Sequence, residues 1–277
     1  MEQSGLKISV DGAVATLTLN RPDELNSFTR ELWTEFKQAV EELDASGKIR
    51  ALVIASTGKH FTAGMDLSVF QTMPDMSGAE AGRHRAEVMR TVRRYQEVFS
   101  SLERARFPVI AAVQGGCIGA GVDMVAACDL RYCAEDAFFC IQEINVGMAA
   151  DVGTFPRLQR VMSESVVREM AYTGCRLDAQ RAMAAGLVNG VCGDAEKTLE
   201  AALETARVIA GKSPLAVWGS KEIMNYGLDH STEDTLKHIA TWQSGMFQEA
   251  DILESIKARQ EKRDAIYDDL LPDEDVI

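Results

Sequence analysis

Apolar residues recur along this chain in two rhythms. Alternation in "AVATLTL" (13–19), the unbroken apolar runs "ALVIAS" (51–56) and "PVIAAV" (108–113), and "DLRYCA" (129–134) predict strands. Residues 29–45 and 84–104 instead place apolar side chains three and four apart, which predicts helices with one buried stripe. Strand and helix thus alternate, as in stacked β-β-α units of an α/β protein. From about residue 157 the rhythm is almost wholly helical, with segments predicted near 164–173, 178–185, 197–210, 214–226 and 231–262. Only "LVNGV" (187–191) reads as a late strand. The expected organisation is an α/β core over 1–190 followed by a helical C-terminal region over 191–277, with Lys212 to Pro214 as one joint. The segment "QTMPDMSGAEAG" (71–82), with Pro and Gly but no period, is the expected mobile loop.

Composition narrows the functional classes. A chain of 277 residues can bury a sizeable core. Its 29 Lys and Arg against 42 Asp and Glu give a net charge of −13, which argues against a nucleic-acid partner and requires a local basic patch for any polyanionic ligand. No apolar run approaches the roughly 20 residues of a membrane span, so no membrane partner is expected. The first twenty residues lack an apolar signal core and transit character, and the terminal "DEDVI" matches neither a peroxisomal nor a reticulum address, so the expected location is cytoplasmic. The six cysteines are irregularly spaced without a CxxC pair, which favours reduced thiols over disulfides or a metal site.

Several familiar engines are absent. "AGKS" (210–213) has Ala206 where a phosphate-binding loop needs its first glycine, and "GGCIGAG" (115–121) does not place glycines as a dinucleotide turn requires. There is no GxSxG elbow, and the acidic segment holds none of the four histidines. What remains is two strand-to-turn transitions, 51–67 and 108–124, each ending in small residues. Such turns let a ligand oxygen reach main-chain N–H groups, and a helix starting near Gly119 adds unsatisfied donors. They form an oxyanion hole on one reading and merely tight turns on the other. Asp123 lies just inside that helix, either tuning chemistry or favouring the helix N-terminus. Asp129 and Arg131 bracket a strand start and read as a structural pair or turn contact. Glu143 and Asp151 stand among small and apolar residues in "QEINVGMAADVG" (142–153), as loop acids, a helix cap, or catalytic groups. Carboxylates converging on an apolar pocket cannot all ionise easily, so one keeps its proton and the set supplies both acid and base.

At these residues the chain resembles the enoyl-CoA hydratase/isomerase (crotonase) superfamily over nearly its full length: "LNRP" (19–22), "FTAGMDL" (61–67), "GGCIGAGVDMVAACDLRYCAEDAFF" (115–139) and "SPLAVWGSKEIM" (213–224). "EINVGMAADVGT" (143–154) is similar to the subgroup that converts 3,5-dienoyl-CoA to 2,4-dienoyl-CoA in the breakdown of unsaturated fatty acids. The resemblance implies a crotonase-like spiral of β-β-α units with a helical trimerisation region, a homotrimer or homohexamer, an acyl-CoA thioester as substrate, and no cofactor, coenzyme A being part of the substrate. It implies that the N–H groups of Met65 and Ala120 hold the thioester oxygen, with Ala63, Gly64, Asp66 and Leu67 also lining the substrate. In the family's hydratases the positions of Asp123 and Glu143 are glutamates that orient one water, and that of Asp151 is typically glycine. On this basis Asp151 removes the carbon 2 proton, Glu143 delivers one at carbon 6, and Asp123 positions the pair. A 2-enoyl-CoA hydratase or another crotonase-type acyl-CoA lyase or isomerase, and a non-catalytic binding member, are the competing readings. "RPDELN" lacks the basic residue that often meets the coenzyme A phosphates, leaving Arg21 or another residue to serve. Residues 65–95, with Met65, Phe70 and Met73, are expected to shape the acyl pocket.

Overall fold

The computed structural model describes residues 2–3, 5–71 and 79–273. A hairpin edge of β1 (Glu2–Gln3), β2 (Leu6–Asp11) and β3 (Val14–Leu19) leads into α1 (Arg30–Ala45) and β4 (Ala51–Ser56). The short α2 (Leu67–Gln71) precedes the long α3 (Ala81–Arg104), which returns the chain to β5 (Val109–Val113). Then follow β6 (Gly116–Ile118), α4 (Ala120–Ala126), β7 (Leu130–Ala134) and β8 (Phe138–Cys140). The remainder is α5 (Thr154–Val161), α6 (Glu164–Thr173), β9 (Leu177–Asp178), α7 (Ala179–Ala185), β10 (Gly190–Cys192), α8 (Ala195–Ala210), α9 (Pro214–Tyr226), α10 (Thr232–Gly245) and α11 (Glu249–Glu261).

Seven strands form one sheet in the order β1-β2-β3-β4-β5-β7-β10, antiparallel through β3 and parallel beyond it. The parallel strands read as continuous apolar runs because both of their faces are covered. Residue parity sorts the two faces. Leu52 and Ile54 of β4, with Val109, Ala111 and Val113 of β5, join the main core against α1 and α3, while Ala51, Val53, Ile110 and Ala112 face α8. Ala202 and Ala206 of α8 are fully buried there, small enough to let the helix lie close on the sheet. Between α1 and α3 an aromatic cluster of Phe28, Trp33, Phe36, Tyr95 and Phe99 fills the space, with ring centroids 4.6–6.0 Å apart.

The observed strands and helices follow the two rhythms closely at 13–19, 51–56, 108–113, 129–134, 29–45, 164–173 and 214–226. Side-chain caps explain several sharp starts: Thr29 for α1, Asp178 for α7, Asp194 for α8 and Ser213, followed by Pro214, for α9. The differences have local causes. The single helix expected over 231–262 is two, because Gly245 ends α10 and extended Gln248 opens α11. The late strand lies at 190–192 rather than 187–191, in register with Tyr132 to Ala134. A second sheet, β6-β8-β9, was not foreseen: its strands of two or three residues are too short to carry a period. Of the expected mobile loop over 71–82, residues 72–78 lie outside the described residues, and Ala81 already opens α3. Met73 and the Phe70 side chain also lie outside them.

The helical C-terminal region is tied back to the sheet. Lys221 of α9 is buried and donates to the carbonyl oxygens of Leu102 and Phe107 and to Asp129 Oδ2, at 2.7–2.9 Å. Asp129 therefore pairs with Lys221, and Arg131 instead donates to the Leu187, Val125 and Cys128 carbonyls, so both residues are structural with separate partners. All six cysteines are free thiols. Among the described residues, no helix is long and apolar enough to cross a membrane.

Candidate active site

Two turns at the C-terminal ends of β4 and β5 are laced together by main chain. Phe61 N–H donates to Gln114 O, Thr62 N–H to Gly116 O, and Ile118 N–H returns to Thr62 O, a one-residue parallel bridge between Thr62 and Cys117. A second such bridge pairs Phe28 with Met65: Phe28 N–H donates to Gly64 O and Asp66 N–H to Phe28 O. In a parallel bridge the central residue's own N–H faces away from its partner, so the Met65 N–H is turned from Phe28. Gly64 has φ +86°, and a Cβ there would stand 2.6 Å from Ile118 O and 3.2 Å from Ala120 N. Only glycine lets these turns approach so closely.

The second turn carries the chain into α4 through Gly119, at φ 54° and ψ −119°. Ala120 is then the first helical residue, whose N–H has no acceptor within its helix. It stands outside the left-handed region, so alanine in place of the family's frequent glycine is accommodated. Gly121 completes the fit, since a Cβ there would lie 2.5 Å from the Thr62 methyl. His60 is part of this scaffold, its Nδ1 accepting the Gly116 N–H at 2.9 Å.

A cleft of about 1610 Å³ opens above these turns. Its walls include all the candidates: Ala63, Met65, Asp66, Leu67, Ala120, Asp123, Glu143 and Asp151, with Gly64 directly behind. Asp66 is held by Ser27 Oγ and by the N–H and Oγ of Ser68, and these hydrogen bonds pull its pKa down to about 2, so it stays ionised. Leu67 presents an exposed side chain.

Three acids meet in this cleft from three elements. Asp123, in the first turn of α4, is 1 % exposed. Its Oδ1 accepts the Thr154 N–H at 2.6 Å and the Thr154 hydroxyl at 2.7 Å, while its buried Oδ2 has no partner. Burial raises its pKa to about 7, and the Thr154 hydrogen bonds oppose that rise. Glu143 opens the 3-10 turn Glu143–Val146; its Oε1 would lie 3.3 Å from a Cβ on Gly119, and its Oε2 is buried without a partner. Burial raises its pKa too, with the Asp151 charge adding to the rise. Asp151 stands exposed on the cleft wall, raised by partial desolvation. Its carbonyl oxygen is held by Gln96 Nε2 of α3 at 2.7 Å, and Arg157 clamps the next residue through the Val152 carbonyl.

A carbonyl seated against two main-chain donors, with three hard-to-ionise carboxyls around the attached chain, suits proton removal beside a carbonyl and its return elsewhere. Sequence reading missed Thr154 and Gln96. Each acts across the fold, 31 and 55 residues from its acid, so no local spacing signals it. Arg21 does not line the cleft: its guanidinium donates to Ser27 O. The basic side chains on the described walls are Arg30, Lys37, Arg94 and Arg176. No cluster of metal-binding side chains occurs among the described residues.

The model of the enoyl-CoA hydratase/isomerase family matches residues 9–270. A human protein named mitochondrial Δ(3,5)-Δ(2,4)-dienoyl-CoA isomerase is 42% identical over 253 residues, 91% of this chain and 77% of that protein. An Arabidopsis thaliana protein named for the same activity, and as peroxisomal, is 36% identical over 260 residues, 93% of this chain and 94% of that one. Among solved structures, an enoyl-CoA hydratase from Bacillus anthracis superposes with a TM-score of 0.87 at 27% identity, covering 95% of this chain and 99% of the other. The expected cytoplasmic location is corrected by these relatives, which are named mitochondrial and peroxisomal. The expectation rested on missing address motifs, and such motifs need not lie in the segment the relatives share.

Proposed function

Since the chain belongs to the enoyl-CoA hydratase/isomerase family, we propose that it isomerises 3,5-dienoyl-CoA to 2,4-dienoyl-CoA by proton transfer between carboxyl groups lining one cleft. The observation that carries this reading is Asp151, a third acid in the same cleft as Asp123 and Glu143, each with a raised pKa. Relatives named for this isomerisation support it.

The Met65 and Ala120 N–H groups receive the thioester oxygen, with Ala63, Gly64, Asp66 and Leu67 lining the adjacent wall. Asp151 removes a proton from carbon 2, and the electron pair spreads through the diene to the thioester oxygen, where the two donors stabilise the developing charge. Glu143 delivers a proton at carbon 6 as the double bonds settle between carbons 2 and 3 and carbons 4 and 5. One proton leaves and one arrives, so the product is an isomer. The two ends of the diene are too far apart for one short carboxylate, which is why a second acid is needed. Coenzyme A is part of the substrate, and every step is carried by side chains or main chain, so the scheme requires no cofactor. Arg30, Lys37, Arg94 and Arg176 are the basic side chains on the described cleft walls that can meet the coenzyme A phosphates, Lys37 and Arg94 by exchanging their wall partners Glu41 and Glu87.

The helical region 191–277 is proposed to assemble trimers or paired trimers. Leu236, Ile239, Phe247, Ile252, Leu253 and Ile256 of this region are exposed in the single chain, which supports that role. Light scattering of the purified protein measures it.

The activity test offers a 3,5-dienoyl-CoA and crotonyl-CoA in parallel. The reading expects a rise in absorbance from conjugated 2,4-dienoyl-CoA and little hydration of the second. Rapid hydration of crotonyl-CoA without the dienoyl product identifies a hydratase, and no turnover of either overturns the isomerase reading in favour of another crotonase-type reaction or a binding role.

A further inference from the structure

Thr154 gives both of its polar donors to one oxygen of one acid. Its N–H and its hydroxyl reach Asp123 Oδ1 at 2.6 and 2.7 Å, and all three groups are buried. With both groups donating to it, Oδ1 acts as the carbonyl oxygen of the carboxyl group, and a neutral carboxyl carries its proton on the other oxygen. When Asp123 is neutral its proton therefore sits on Oδ2, the buried oxygen without a protein partner. Glu143 Oε2 is likewise buried without a partner in the same cleft.

We propose that Thr154 is a positioning residue for the isomerisation, fixing the Asp123 proton on Oδ2 so that Asp123 presents a directed O–H to the cleft while Glu143 and Asp151 exchange protons with substrate. This rests on the isomerase reading above. The titratable groups facing Asp123 are Glu143 from the 3-10 turn, Asp151 from the loop before α5, and Cys117 from β6. The nearby negative charges of Glu143 and Asp151 favour the neutral form of Asp123, and the Thr154 hydrogen bonds favour the ionised form. Thr154 thus holds Asp123 near the middle of its titration at neutral pH, instead of leaving it permanently protonated.

Infrared difference spectroscopy of the free enzyme tests this without using activity. The carboxyl C=O band lost on Asp123→Asn is followed against pH in the wild-type background and again in Thr154→Val and Thr154→Ser backgrounds. The expected wild-type midpoint lies near 7. Thr154→Val removes one donor from the ionised form and moves the midpoint up by about one pH unit, the equivalent of one charge-assisted hydrogen bond; Thr154→Ser restores it. If Thr154→Val does not fold, Thr154→Ala gives the same comparison. An unmoved midpoint without the hydroxyl, or a serine variant that behaves like valine, overturns the proposal. Failure of the wild-type enzyme to turn over dienoyl-CoA would overturn the isomerase reading and leave the titration result standing.

Discussion

Burying Asp123 makes the folded protein pay for its ionisation, and this cost is measurable as stability. Its pKa lies at 3.8 in an unfolded chain and about 7 in the folded one, a span of about three pH units. Because the folded value is the higher, this group's contribution is fully present below about pH 3.8 and is lost as pH rises through about 7. At 1.36 kcal/mol per pH unit the loss totals about 4 kcal/mol, an order-of-magnitude figure. Asp123→Asn keeps an acceptor for Thr154 and carries no charge, so it escapes the loss. Urea unfolding of both proteins, followed by fluorescence of the buried Trp33 at fixed protein concentration, gives the difference. Relative to its standing near pH 4, the variant should gain on the wild type steadily towards pH 7, by about 4 kcal/mol in all, and hold that gain above it. A difference that stays flat from about pH 4 to about pH 8 would mean that Asp123 is ionised throughout in the folded protein, and it would refute the buried-acid account of the site.

Asp151→Asn and Glu143→Gln should each lower kcat for dienoyl-CoA by about 10² to 10⁴ with little change in KM. Exchange of the substrate's carbon 2 hydrogen with deuterated solvent separates their roles: it should vanish in the Asp151 variant and persist in the Glu143 variant, and the reverse pattern would exchange acid and base. Gly64→Ala should cost at least 10² in kcat, because its Cβ would stand 2.6 Å from Ile118 O and displace the Met65 donor; steady-state kinetics on folded variant decides it. Lys221→Met should lower stability by about 2 to 4 kcal/mol by stranding two carbonyls and leaving Asp129 Oδ2 with only the Val109 N–H, read from a thermal or urea melt. A near-neutral result there would make the buried lysine incidental.

Legibility of the sequence follows the length scale of each feature. β4 and β5 are five or six residues of apolar chain buried on both faces, and α1 runs through four turns with one buried stripe, so each repeats its signal enough to be read. β6, β8 and β9 span two or three residues and repeat nothing. The acids Asp123, Glu143 and Asp151 stood out because charge is costly among apolar neighbours, and all three line the cleft. Their supports did not stand out, since Thr154 and Gln96 are ordinary polar residues whose meaning depends on what folding brings opposite them. Arg131 was legible as structural but its three carbonyl partners were not, because carbonyls have no sequence identity.

The bridges Phe28 to Met65 and Thr62 to Cys117 have a consequence for how such a protein changes over time. The donors they aim are peptide groups, common to every residue except proline, so most point mutations leave them in place while the glycines at 64 and 119 persist. The acids are side chains, each replaceable by a single mutation without touching that frame. A lineage can therefore exchange one proton-transfer chemistry for another while its grip on the carbonyl passes unaltered from ancestor to descendant.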